Sequence, residues 1–164
     1  MEEKTSQEVK PFSHVNFEVN DIFGREATKR LFSQKWNINL KDSKDVYGID
    51  LFGFFNGAKI YVECAVNNTK GWTNNTFYTQ NIGIKDVAIL KRRLKSLHPS
   101  SETSKYLYCM TNKAGRCFAV CEMTHDILAQ PLKPFNIQPL CEERPAKTEK
   151  ALLVSKKHFK FYAL

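Results

Sequence analysis

Residues 48–66 read GIDLFGFFNGAKIYVECAV, and the fold turns on how this stretch pairs with itself. Asn56-Gly57 is the strongest short hairpin signal in the chain. A type I′ turn needs positive φ at both central residues, and these two residue types supply it at least cost. With Asn56 and Gly57 as the loop, Phe55 pairs with Ala58. Counting outward, Phe54 faces Lys59, Phe52 faces Tyr61 and Asp50 faces Glu63. Period-two alternation then sends Ile49, Leu51, Phe55, Ile60, Val62, Cys64 and Val66 to one face, the core side, and Asp50, Glu63 and Ala65 to the other.

Directly opposed residues have Cβ atoms about 4.5–5.5 Å apart, and two like charges at that range weaken a sheet. The pair therefore asks for a cation. A divalent metal is the natural candidate, because hard cations take oxygen ligands and accept several carboxylates. The plainer alternatives are two solvated acids on an open sheet face, or a slipped register in which they never meet.

Outward from the hairpin, Ile22, Phe23, Ala27, Leu31 and Phe32 fall at helical spacing between Val19 and Trp36, with Asn20 or Asp21 as a cap. Residues 37–45 are polar and turn-like. Residues 67–81 form a long polar loop with embedded aromatics, a length more often functional or mobile than idle. Ile84, Val87, Ala88, Leu90, Leu94 and Leu97 mark an amphipathic helix that ends before Pro99. Two strands, KYLYCM and RCFAVCEM, join through Asn112–Gly115. A Pro-rich connection over 131–145 leads to a last strand near HFKFYAL. The order implies a mixed central β-sheet flanked by helices, hence α/β or α+β.

At 164 residues the chain fits one domain, with residues 1–13 a mobile polar segment. No apolar run approaches the ~18 residues of a membrane span, and the charged start is no signal peptide. Five cysteines without close pairing read as reduced thiols, so an intracellular, cytoplasmic setting is expected. A net charge of +8 points to an anionic partner, nucleic acid first.

A helix, an acid on one hairpin strand (YGIDLFGFF), an acid on the next (AKIYVECAV), then a basic helix and a strand together resemble the PD-(D/E)XK nuclease superfamily. Restriction endonucleases, Holliday-junction resolvases and small phage nucleases share that core, and the likeness covers roughly residues 20–125. KGW followed by IGIKDVAILKRRL is similar to small phage members. The resemblance implies a restriction endonuclease-like fold and Mg²⁺- or Mn²⁺-dependent hydrolysis of DNA. It implies Asp50 and Glu63 as metal-binding carboxylates, with the backbone carbonyl of Cys64 as a further ligand. An acid on the first helix, Glu26 or Glu18, is a weaker candidate. Junction-cleaving and restriction relatives are often dimers, so a homodimer enters as an expectation.

The departure is Ala65, where the family pattern puts a lysine that orients water and stabilises charge on the phosphate. Three accounts stand open. The alanine is an engineered substitution that disables a nuclease, or the lysine has migrated, with Lys85 the candidate, or catalysis is lost and binding kept. An alanine at the one position that calls for a long cation favours the first. Nucleic acid would track Lys85, Lys91, Arg92 and Lys95 on the second helix and Lys70 and Trp72 in the long loop. The bland readings are a solvated helix face and a loop anchored on the sheet. A structural domain that meets an acidic protein is the rival from another class.

Overall fold

The computed structural model describes residues 14–43, 49–67, 72, 81–84, 104–137 and 147–164. Helix α1 spans His14–Trp36 and the strands are β1 Lys41–Asp42, β2 Leu51–Phe55, β3 Ala58–Asn67, β4 Asn81–Ile84, β5 Ser104–Asn112, β6 Cys117–Glu122, β7 Lys133–Ile137, β8 Lys147–Ser155 and β9 Lys160–Ala163. A short helical turn covers His125–Leu128. The described residues are strand-rich and mixed α/β, an α+β arrangement at the coarse level. No helix among them is long and apolar enough to cross a membrane.

The hairpin pairs as its turn dictates. Asn56 has φ 49° and Gly57 φ 79°, both in the left-handed region that a type I′ turn requires. The ladder runs Phe55↔Ala58, Phe54↔Lys59, Phe52↔Tyr61 and Leu51↔Val62. A one-residue slip would have carried Leu51, Ile60 and Val62 from the core to the other face, so burial and turn enforce the same register.

Around this hairpin the main sheet has six strands in the order β1-β2-β3-β5-β6-β9. All its pairs are antiparallel except β3 with β5, which run parallel in the middle. Parallel strands are normally covered on both faces, and β5 and β6 show this residue by residue. Cys109 and Phe118 point to one core; Tyr108, Met110, Cys117, Ala119 and Cys121 point to another.

The first core lies under α1. Gly24, Ala27, Thr28, Leu31 and Phe32 are its buried stripe, at the i, i+3, i+4, i+7, i+8 spacing of a helix face. Thr28 escapes a buried-polar penalty because its hydroxyl donates to Gly24 O at 2.7 Å. Helix α1 begins earlier than the apolar spacing implies, so Asp21 is not a cap; it sits one turn before Arg25 and pairs with it. Ile22, expected in the core, is 59% exposed, because it lies off that stripe. The helix ends at Asn37, which takes φ 54°. The amides of Asn37 and Ile38 bond Ser33 O and Phe32 O, a C-terminal cap with a left-handed residue at C′, whose Asn37-to-Ser33 bond is that of the αL motif. Ile38 and Leu40 are then buried against the same core, so residues 37–43 are less polar in role than in composition.

The second core corrects two further expectations. Ile84 does not open a helix: it ends β4, which pairs with β8 from Asn81↔Ser155 to Ile84↔Leu152. The expected connection over 131–145 is not a mere connection either, since its Lys133–Ile137 form β7, which pairs with Lys147–Ala151 of β8. Pro134 and the lysines mask these strands from a reading by periodicity. A three-stranded sheet, β4-β8-β7, results. Its Ile82, Ile84, Leu152 and Val154 pack on the second face of the main sheet. Among the described residues the main sheet is thus covered by a helix on one face and by a sheet on the other, rather than by helices alone.

Four described cysteines, 64, 109, 117 and 121, are free thiols. Burial pushes Cys109 up to about 12 and Cys121 up to about 11, which leaves both protonated and poorly nucleophilic at neutral pH.

Candidate active site

Asp50 sits in the bend just before β2, and Glu63 lies on β3 one residue past the last ladder pair, Leu51↔Val62. The register therefore brings the two acids together, as the turn arithmetic requires. Their side chains are within hydrogen-bonding reach of each other, a contact two carboxyl groups make by sharing a proton or a cation. Asp50 is tied to β3 by a second contact, the Cys64 N–H donating to its Oδ2 at 2.9 Å. The Cys64 thiol turns to the opposite face and packs on the helix-side core.

Helix α1 supplies what the sequence left open. Arg25 Nη2 lies 3.2 Å from Asp50 Oδ1, with the Arg25 side chain 25% exposed and Asp50 14%. Arg25 Nη1 also donates to the Asp50 carbonyl at 3.4 Å, and Ser43 N donates to that carbonyl at 2.9 Å. The same guanidinium reaches Asp21 Oδ2 at 3.1 Å and Asp42 Oδ1 at 3.5 Å. A cation for Asp50 is therefore present in the protein itself, one helical turn after Asp21.

Burial is the main influence on the Asp50 carboxyl and raises it above its ordinary value. The Cys64 N–H, Arg25 and the bond to Glu63 pull it down, while Asp21 adds to the rise. Burial opposes the charge on Arg25, but Asp50, Asp21 and Asp42 together outweigh it and raise its pKa.

The remaining expected residues divide. Glu26 does not join Asp50; it pairs with Lys29 at 3.2 Å, and Lys29 also meets Asp42 at 2.8 Å. Asp21, Ile22, Arg25, Glu26 and Asp42 line a shallow depression beside the acid pair. Ala65 lies on the Glu63 side of β3 and is partly buried there, packed against the second core. Trp72 is 2% exposed within that core, and Asn112 Nδ2 donates to its carbonyl at 3.2 Å. Of its two expected roles it takes the anchoring one, because an indole buried in this way offers no face to a base. The Glu18 side chain and Lys70, Lys85, Lys91, Arg92 and Lys95 lie outside the described residues, as does the body of the expected basic helix.

The face that carries Asp50 and Glu63 continues toward the hairpin tip. Lys59 Nζ lies 5.2 Å from the Phe52 ring centre and 4.9 Å from that of Tyr61. Tyr61 stacks on Tyr106 with centroids 5.1 Å apart and an interplanar angle of 7°. Phe54, next along the face, is 63% exposed.

Two carboxylates are a hard donor set. Mg²⁺ commonly binds through one or two carboxylates and fills its shell with water and substrate phosphate. The Asp50–Glu63 pair fits an ion held in that way. It does not form a full protein cage: no group of three or more His, Cys, Asp or Glu side chains converges among the described residues.

Arg25 is the site residue that sequence reasoning missed. Its one signal is the i, i+4 spacing from Asp21, and that spacing does not say which way the pair faces. In comparisons with known proteins, no family model and no curated protein matches this chain.

Proposed function

We propose that this chain is a metal-dependent nuclease of the PD-(D/E)XK type, built on a restriction endonuclease-like core and acting on DNA phosphodiester bonds. The observation that carries the reading is the meeting of Asp50 and Glu63 at the start of a hairpin. A helix precedes that hairpin, and a further strand, β5, lies beside it, which agrees with part of the element order the resemblance implies; the basic helix of that order lies outside the described residues. A bound Mg²⁺ or Mn²⁺ would polarise the scissile phosphate and acidify an attacking water.

Asp50 and Glu63 would hold the ion, with the Cys64 carbonyl as the further oxygen donor that the resemblance implies. The Cys64 N–H fixes the Asp50 carboxylate in orientation. The net charge of +8 favours a polyanion. Lys59 among Phe52, Phe54 and Tyr61 offers a cation and aromatic faces on which unpaired bases can stack.

A second reading, a nuclease fold kept for nucleic-acid binding without catalysis, is favoured by Ala65, which packs against a core where the family pattern has a working lysine. Ala65→Lys separates the two. The long aliphatic stem can run past the core and carry its ammonium to the Glu63 side. The variant is expected to cut labelled single-stranded, duplex or branched DNA with Mg²⁺ or Mn²⁺, well above the activity of the chain with alanine. If neither protein cuts any DNA form while both fold, the nuclease reading fails. Salt-sensitive, metal-independent binding would then support the second.

A further inference from the structure

Asp50 has two carboxylate oxygens, and both are engaged within the protein. Oδ2 accepts from the Cys64 amide at 2.9 Å, a bond that continues the β2–β3 pairing beyond Leu51↔Val62. Oδ1 is held by a side chain rather than by a strand amide, Arg25 Nη2 at 3.2 Å, so it is the oxygen a competing cation can take over. A divalent ion at that oxygen would sit within a few ångströms of a fixed positive charge, where partial burial keeps the repulsion from being screened as in water.

The guanidinium has other partners. Asp21 Oδ2 lies 3.1 Å from Nε, and Asp42 Oδ1 lies 3.5 Å from Nη1. Both acids are more exposed than Asp50. Arg25 can thus give up Asp50 without becoming a buried unpaired charge, which would be the main obstacle to such a movement.

We propose that Arg25 is an exchangeable counter-ion of the acid pair. The guanidinium and a divalent cation compete for Asp50 Oδ1, and metal loading releases Arg25 toward Asp21 and Asp42. This rests on the metal reading of the Asp50–Glu63 pair given above. It has a consequence for substrate binding, because a guanidinium freed at the rim of the site can take a phosphate through two parallel N–H bonds. Metal and nucleic acid then favour each other's binding, since each satisfies a group that the other displaces.

The test is a calorimetric titration of Mn²⁺ into the full chain and into Arg25→Met, which keeps the apolar stem and removes the charge. Arg25→Met is expected to bind Mn²⁺ about tenfold more tightly, while melting at a lower temperature in metal-free buffer. An arginine of purely structural use would move stability alone. Equal or weaker Mn²⁺ affinity in Arg25→Met, with binding by the unaltered chain intact, overturns the counter-ion role and leaves the metal reading standing. Absence of Mn²⁺ binding in both proteins overturns the metal reading, and the counter-ion role with it. If Arg25→Met does not fold, Arg25→Lys carries the test. Its single ammonium cannot hold Asp50, Asp21 and Asp42 together, so tighter Mn²⁺ binding is again expected, and unchanged affinity overturns the proposal.

Discussion

In the Ala65→Lys background, Asp50→Asn is expected to lower Mg²⁺-dependent DNA cleavage by at least about 10³-fold, roughly 4 kcal/mol of transition-state stabilisation. The amide keeps the shape of the side chain, and its oxygen can still accept the Cys64 N–H that now meets Oδ2. What it loses is the negative charge that holds a hard cation. Arg25 retains Asp21 and Asp42, so the substitution leaves no stranded cation and the fold should persist. Glu63→Gln should act similarly. The double variant should be scarcely worse than either single one, because residues that work as a unit do not lose activity additively. Single-turnover cleavage of labelled DNA measures this; retained activity in Asp50→Asn would remove the pair from the chemistry.

The largest effect on stability is expected from Phe118→Ala. Phe118 is fully buried on β6 and belongs to the core between α1 and the main sheet, with Leu31, Phe32, Val62 and Cys109 in the same cluster. Removing a buried aromatic ring loses its transfer free energy and leaves a cavity that packed neighbours close only in part, a cost of about 3–5 kcal/mol. At about 2–4 °C per kcal/mol for a chain of this size, the melting temperature should fall by roughly 10 °C. Phe54→Ala, at a ring 63% exposed near the hairpin tip, should stay within about 0.5 kcal/mol of the unaltered chain. Denaturant unfolding of the two variants checks the pair, and equal losses would contradict the assignment of the core.

The contrast between what the sequence showed and what it hid has physical causes. Asn56-Gly57 fixes a turn type by backbone sterics alone, and from that turn the meeting of Asp50 and Glu63 follows by counting. Helix α1 was legible as an element, but its buried stripe includes Gly24 and Thr28, which apolar spacing overlooks and which sent Ile22 to solvent. Arg25 was hidden because a charged helical residue reads as solvated until tertiary packing turns it toward a sheet. β7 and β8 were hidden because Pro134 and a lysine-rich flank look like a connection, and because Ala151 and Leu152, though adjacent, are both fully buried, which breaks a simple alternation. Trp72 sat in a polar stretch, and only the three-dimensional fold reveals the core that takes it in.

The divalent-metal seat at Asp50 and Glu63 is tested most directly by the melting temperature under Mn²⁺ titration. A ligand bound only to the native state adds about 2.7 kcal/mol at a hundred times its dissociation constant, or roughly 5–10 °C for a chain of this size. The unaltered protein should show that rise, and the double variant Asp50→Asn, Glu63→Gln should stay flat. No rise in the unaltered protein, or an equal rise in the double variant, would contradict the account.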